Sequence, residues 1–156
     1  MVMRSASLNE NNFGFVNAAA LRVRVSLPEG FVLDPAQTRL GASISSSSGS
    51  RHAELALEAL STKRATRGGA MWSAELAVTT YEMDLTEASA RALRELQGLI
   101  ASGKVKDVQL EVKVRLKQAP AGATSAKVWV DLMLSPLEGY FPLIDGGTVS
   151  VDPAAT

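Results

Sequence analysis

The chain has 156 residues and a mass of 16.5 kDa, the size of one ordinary domain. At 46% apolar and 21% charged residues it has the composition of a folded globular protein, not a disordered one. Sixteen Lys and Arg balance sixteen Asp and Glu, with no Cys and a single His. That excludes the uniform basic field of a nucleic-acid binder, disulfides, thiolate chemistry and His/Cys metal centres.

The first residues, Met1 to Ser7, contain no apolar stretch of signal-peptide length, and no run of about eighteen apolar residues occurs anywhere. They read straight into a structured segment. The expected location is the cell envelope (periplasmic, with a signal or lipid anchor removed) ahead of the cytoplasm, a choice these residues leave open. Leu21, Val23, Val25 and Leu27 alternate with Arg22, Arg24 and Ser26, the two-residue period of a strand with one buried face. Leu40 to Ser46 is a weaker strand, and Ala53 to Leu60 reads as strand or as helix. Trp72, Ala74, Leu76 and Val78 form another alternating set. The period then changes. Leu85, Ala88, Ala92, Leu93, Leu96, Leu99 and Ile100 recur at helical spacing, which predicts an amphipathic helix over 85–102. Asp84 and Glu87 fit a capping box at its start, Gly103 fits its C-terminal glycine, and Glu87, Arg91 and Glu95 step by four along its outer face.

The strongest strand follows, with Val108, Leu110, Val112, Val114 and Leu116 inward and Gln109, Glu111, Lys113, Arg115 and Lys117 outward. Val128, Val130, Leu132 and Leu134 make another, with Trp129 and Met133 on its opposite face, and Thr148 to Val151 is a weak last strand. Pro28-Glu29-Gly30, Asp34-Pro35, Gly68-Gly69, Pro120-Ala121-Gly122 and Asp145-Gly146-Gly147 separate these segments as turns. Half-buried strands joined by short turns predict a mainly β, antiparallel sandwich with one helix. Residues 1–151 read as a single domain and 152–156 as a flexible tail.

Catalytic patterns are missing. Gly41-Ala42-Ser43-Ile44-Ser45 approaches a nucleophile elbow but lacks the second glycine, and Ser43 falls in a strand. His52 reads as a residue of a Ser/Gly/Arg loop with no orienting carboxylate beside it. The carboxylates are scattered, leaving no metal motif, and no glycine-rich phosphate loop precedes a helix. We therefore expect no catalytic residue, no metal and no cofactor. Lys63, Arg64 and Arg67, like Lys113, Arg115 and Lys117, read as solvated faces. Trp129 is out of phase with its strand's apolar set, so it is either covered by the helix or a loop or presented to a partner.

Near the N-terminus, Asn9-Glu10-Asn11-Asn12-Phe13 precedes Gly14-Phe15-Val16-Asn17 and a strand. Asn9, Asn11 and Phe13 resemble the Asn-Pro-Asn-Pro-Phe signature of the group-2 late embryogenesis abundant proteins, the water stress and hypersensitive response (WHy) domain. Glu10 and Asn12 stand where that pattern has prolines. The later order of strand, helix and long alternating strand is also similar. The resemblance implies an immunoglobulin- or fibronectin-like β-sandwich without enzymatic activity, in which these asparagines cap exposed backbone. The expected function is that of a non-enzymatic stress-associated or cell-envelope protein. The alternative is an accessory or scaffold module, such as a pilot-like lipoprotein domain, docking a larger protein assembly. That alternative predicts a partner surface at Trp129, Met133, Tyr140 and Phe141 and an edge strand open to β-augmentation. A protein partner is compatible with either reading; nucleic acid is not expected.

Overall fold

The structure is a computed structural model describing residues 2–8, 16–46, 49–68, 75–101, 105–137 and 139–151. Asn9, Asn11 and Phe13 lie outside the described residues, as do Trp72, Ala74, Gly103 and the expected tail at 152–156. The elements in chain order are β1 (Val2–Leu8), β2 (Arg22–Pro28), β3 (Val32–Leu33), β4 (Arg39–Ser46), β5 (Gly49–Gly68) and β6 (Glu75–Leu85). The helix α1 (Glu87–Ala101) comes next, then β7 (Val105–Val114), β8 (Leu116–Gln118), β9 (Ser125–Met133) and β10 (Tyr140–Ser150).

Eight strands form one antiparallel sheet in the order β1-β7-β4-β5-β6-β2-β9-β10, and β3 pairs with β8 separately. The sheet curls into two facing layers, and its end strands β1 and β10 approach each other. The turn from one layer to the other is made within β5. Residues 49–56 of that strand pair with β4, and residues 57–68 pair with β6. The register slips by one residue between Ala59 and Ser61, a β-bulge that leaves Leu60 unpaired and 47% exposed. The core between the layers is built from the expected alternating sets: Leu21 to Leu27 on β2, Val128 to Leu132 on β9, and Val108 to Val114 on β7. Burial of these branched side chains, each contributing roughly 1.5–3 kcal/mol, is the main stabilising term.

Several local expectations are corrected. Ala53 to Leu60 is strand, part of a twenty-residue β5, so His52 sits in a strand and not in a loop. Leu76 and Val78 take the outer phase of β6, while Tyr81, Met83 and Leu85 face the core, the first two opposite Val25 and Val23 of β2 and the last opposite Leu57 of β5. Asp145-Gly146-Gly147 is no turn but an irregular stretch of β10, which is eleven residues long and carries register shifts next to Leu143 and Gly146. Pro142 is tolerated there because β10 is an end strand. Leu116 leaves the long strand and pairs with Leu33 in the small sheet.

The helix is capped by Thr86, not Asp84. The Ser89 amide donates to Thr86 Oγ1 at 3.2 Å, and the Thr86 hydroxyl donates to Ser89 Oγ at 2.9 Å. Asp84 remains in β6, opposite Arg22 with a 4.0 Å ion pair. Ala90, Leu93 and Leu96 are the core-facing stripe, whereas Ala88 and Leu99 are exposed. Gln97 Nε2 donates to the Val16 carbonyl at 2.6 Å and ties the helix to the segment before β2. Glu87 and Arg91 form the expected i,i+4 pair, at 3.9 Å.

Two stability predictions follow from this packing. Val112 is 1% exposed and sits in β7 between β1 and β4, so Val112→Asp should cost about 4 kcal/mol or more and abolish a cooperative thermal transition. Thr86→Ala should cost about 1 kcal/mol in chemical denaturation, with Thr86→Ser close to the parent.

Candidate functional site

The polar side chains gather mainly on the outer faces of the two layers, because the core-facing positions of β2, β7 and β9 are apolar. The second layer carries the denser cluster. Its neighbouring strands β6, β2, β9 and β10 place Glu82 opposite Arg24, Arg24 opposite Asp131, and Ser26 opposite Trp129. Arg24 Nε and Nη2 both lie 3.2 Å from Asp131 Oδ2, and its guanidinium stacks 4.0 Å from the centre of the Tyr140 ring. Tyr140 in turn donates its hydroxyl to Glu82 Oε2 at 3.1 Å. Burial and that bond to the Glu82 carboxylate push the phenol up to about 12, so it stays a proton donor through the neutral range. Arg67 reaches the same Asp131 oxygen at 3.5 Å, although β6 and β2 separate β5 from β9 in the sheet. The β5–β6 ribbon therefore arches over the face.

Trp129 lies beneath this arch. It is 7% exposed but outside the core between the layers. Arg67 and Lys127 stand over its ring at 6.0 and 5.8 Å, and Ser26 across the strand is buried with it despite its outward phase. Gly146, at φ 72°, makes the floor: a Cβ there would lie 3.1 Å from Trp129 Nε1. The cover is thus cationic side chains and a backbone bulge, not the helix or a loop.

Met133 and Tyr140 are cross-strand partners on this outer face, both half-buried. Phe141 pairs with Leu132 and packs on the core. The structure thus brings Trp129, Met133 and Tyr140 to one face and separates Phe141 from them. Large apolar side chains that are exposed among the described residues are Leu60, Leu99 and Leu137, the last at 99% in the turn between β9 and β10.

Beside the Arg24–Tyr140 stack, the arch encloses an open depression of about 390 Å³ lined in part by Arg24, Lys63, Arg64, Arg67, Thr80 and Glu82. Lys63 and Arg67 take the outer phase of β5 only because of the bulge at Leu60. Sequence reading identified Lys63, Arg64 and Arg67 as a basic run but missed Arg24, Glu82 and Asp131. All three sit at polar positions of alternating strands, but their convergence depends on strand order.

The first layer carries a second arrangement. Ser43 Oγ is 2.7 Å from His52 Nδ1, and His52 Nε2 is 3.1 Å from Glu54 Oε1, which also accepts from Lys113. His52 therefore has an orienting carboxylate, two residues along its own strand, where consecutive outward positions fall. Gly41 leaves the room: a Cβ there would be 3.0 Å from Glu111 Cγ and 3.3 Å from His52 Cε1. Donation from Nε2 to Glu54 leaves Nδ1 to accept from Ser43, the proton order of an acyl-transfer triad. The surroundings do not match that chemistry. Ser43 is paired on both sides, to β5 and β7, so the amides around it are spent on the ladders and are not aimed at an oxyanion. The array acts as a polar cross-strand ladder that ties β4, β5 and β7.

Burial raises the Glu54 carboxyl, but the hydrogen bonds and charges of Lys113 and His52 outweigh it and hold the group below its ordinary value, while the bond to Glu54 raises Lys113. The chain matches no protein-family model, no curated protein and no solved structure.

A depressed carboxyl binds its proton less readily in the folded state than in the unfolded one. Its stabilisation is complete above the ordinary glutamate value of 4.5 and is lost as pH falls through the folded value. Unfolding free energy measured by urea titration should therefore decline on acidification below that value. Glu54→Gln should flatten this limb and leave the acid end unchanged.

Proposed function

We propose that the chain is a non-enzymatic β-sandwich of the stress-associated or cell-envelope kind, resembling the WHy domain, that acts by surface contact with other macromolecules. The observation that carries this reading is the outer face of the second layer. Its tryptophan and tyrosine are tiled over by Arg24, Arg67 and Lys127, with Asp131 pairing the two arginines and Glu82 accepting from the tyrosine. Interspersed opposite charges keep such a surface hydrated and discourage self-association, which suits a protein that shields others as water is withdrawn. The serine–histidine–glutamate ladder on the other layer supports the same reading, since its place inside paired strands suits structure better than catalysis.

One observation favours the accessory-module alternative. Leu137 projects into solvent between β9 and β10, in the turn that joins the half-buried Met133 to Tyr140, and an apolar residue so placed is a natural anchor for a partner. The test is to dry and rehydrate a desiccation-labile enzyme with this chain or with an equal mass of an unrelated soluble protein. We expect greater retention of enzyme activity with this chain, unchanged by Leu137→Asp. Retention no better than the unrelated protein, together with a host partner captured by the parent and lost in Leu137→Asp, would replace this reading with the docking module.

A further inference from the structure

We propose that the depression under the β5–β6 arch is a binding site for a phosphoryl group, carried by a soluble phosphate compound or by an anionic lipid headgroup. Four cations border it: Arg24, Lys63 and Arg67 from the outer phase of their strands, and Arg64 from the opposite phase of the ribbon. Arg24 and Arg67 share a single oxygen of Asp131, which is 8% exposed. Glu82 is engaged by the Tyr140 hydroxyl. Among the described residues, Lys63 and Arg64 make no ion pair. The three outer-phase cations against two carboxylates already leave the site cationic, and Arg64 at its edge adds to that, on a chain whose net charge is zero.

The donor types match a phosphoryl oxygen cluster. Guanidinium groups present parallel N–H donors, the lysine adds a mobile point charge, and the hydroxyls of Ser61 and Thr80 stand on the same outer phase of β5 and β6. Arg24 is held in place by its stack on Tyr140 and its bond to Asp131, so little ordering remains when a ligand arrives. The depression has room for a compact ligand, and the absence of a chain-wide basic field favours such a ligand over an extended polyanion. This site does not depend on the stress-type reading of the whole protein.

The test uses the full chain, inorganic pyrophosphate as the soluble probe, and vesicles of phosphatidylcholine with or without phosphatidic acid, all at physiological ionic strength. By calorimetry we expect saturable pyrophosphate binding that weakens about tenfold or more in Lys63→Gln/Arg64→Gln. Arg51→Gln, an exposed arginine on the first layer, should bind as the parent does. Both substituted side chains of the double variant are exposed, and its melting temperature should match the parent. Pyrophosphate binding without sedimentation on vesicles assigns the site to soluble phosphates. Sedimentation only with phosphatidic acid, lost in the double variant, assigns it to a headgroup. Binding to neither probe, or equal loss in Arg51→Gln and the double variant, would overturn the proposal.

Discussion

The constraint on which the rest of the molecule depends is the one-residue slip in β5. A strand of twenty residues that kept strict alternation would carry one set of side chains on one face for its whole length. In the first part of β5 the outward residues are even-numbered, His52 and Glu54 among them. After Leu60 they are odd-numbered, including Ser61, Lys63 and Arg67. The strand changes partner from β4 to β6 between residues 56 and 57, just before this slip, so that its two halves serve different layers. Core closure therefore rests on β5 running through both layers, and the bulge decides which side chains its far half turns outward. The exposure of Leu60 is the local cost.

On the second layer the organising residue is Asp131. Its carboxylate receives Arg24 from the adjacent β2 and Arg67 from the overarching ribbon. Partly exposed ion pairs contribute little individually, and the value of this one is geometric. It holds one guanidinium flat on Tyr140 and the other over Trp129, which turns two amphipathic rings into the underside of a charged surface. Cation–π contact of this kind adds about 0.5–1 kcal/mol at exposed sites, enough to favour the covered arrangement over a solvated ring.

The core strands were legible in the sequence because their alternation is unbroken: Leu21 to Leu27, Val108 to Val114 and Val128 to Leu132 are inward where periodicity puts them. The antiparallel sandwich with one helix followed from these sets and the helical stripe of Leu93 and Leu96. Periodicity failed where the backbone slips. Ala53 to Leu60 ends in a bulge, and β10 has two irregularities within eleven residues, so neither keeps a readable phase. The helix cap was displaced because Asp84 and Thr86 are both good capping residues, and the pairing of Asp84 with Arg22 decides between them. Of the candidate site, the out-of-phase position of Trp129 and the basic run on β5 were visible. The meeting of Arg24, Glu82, Asp131 and Tyr140 was not, since it rests on β6, β2, β9 and β10 being neighbours. The link from Ser43 through His52 to Glu54 needed the register of β4 against β5.

The position of Trp129 has an optical consequence. An indole pressed against the Gly146 backbone, with an arginine and a lysine above its ring, has its excited-state dipole in a strong fixed field rather than in relaxing water. Its emission colour and lifetime therefore register whether the arch is seated. Lifting Arg67 by even a small amount would admit solvent to the ring and change that signal with no dye attached.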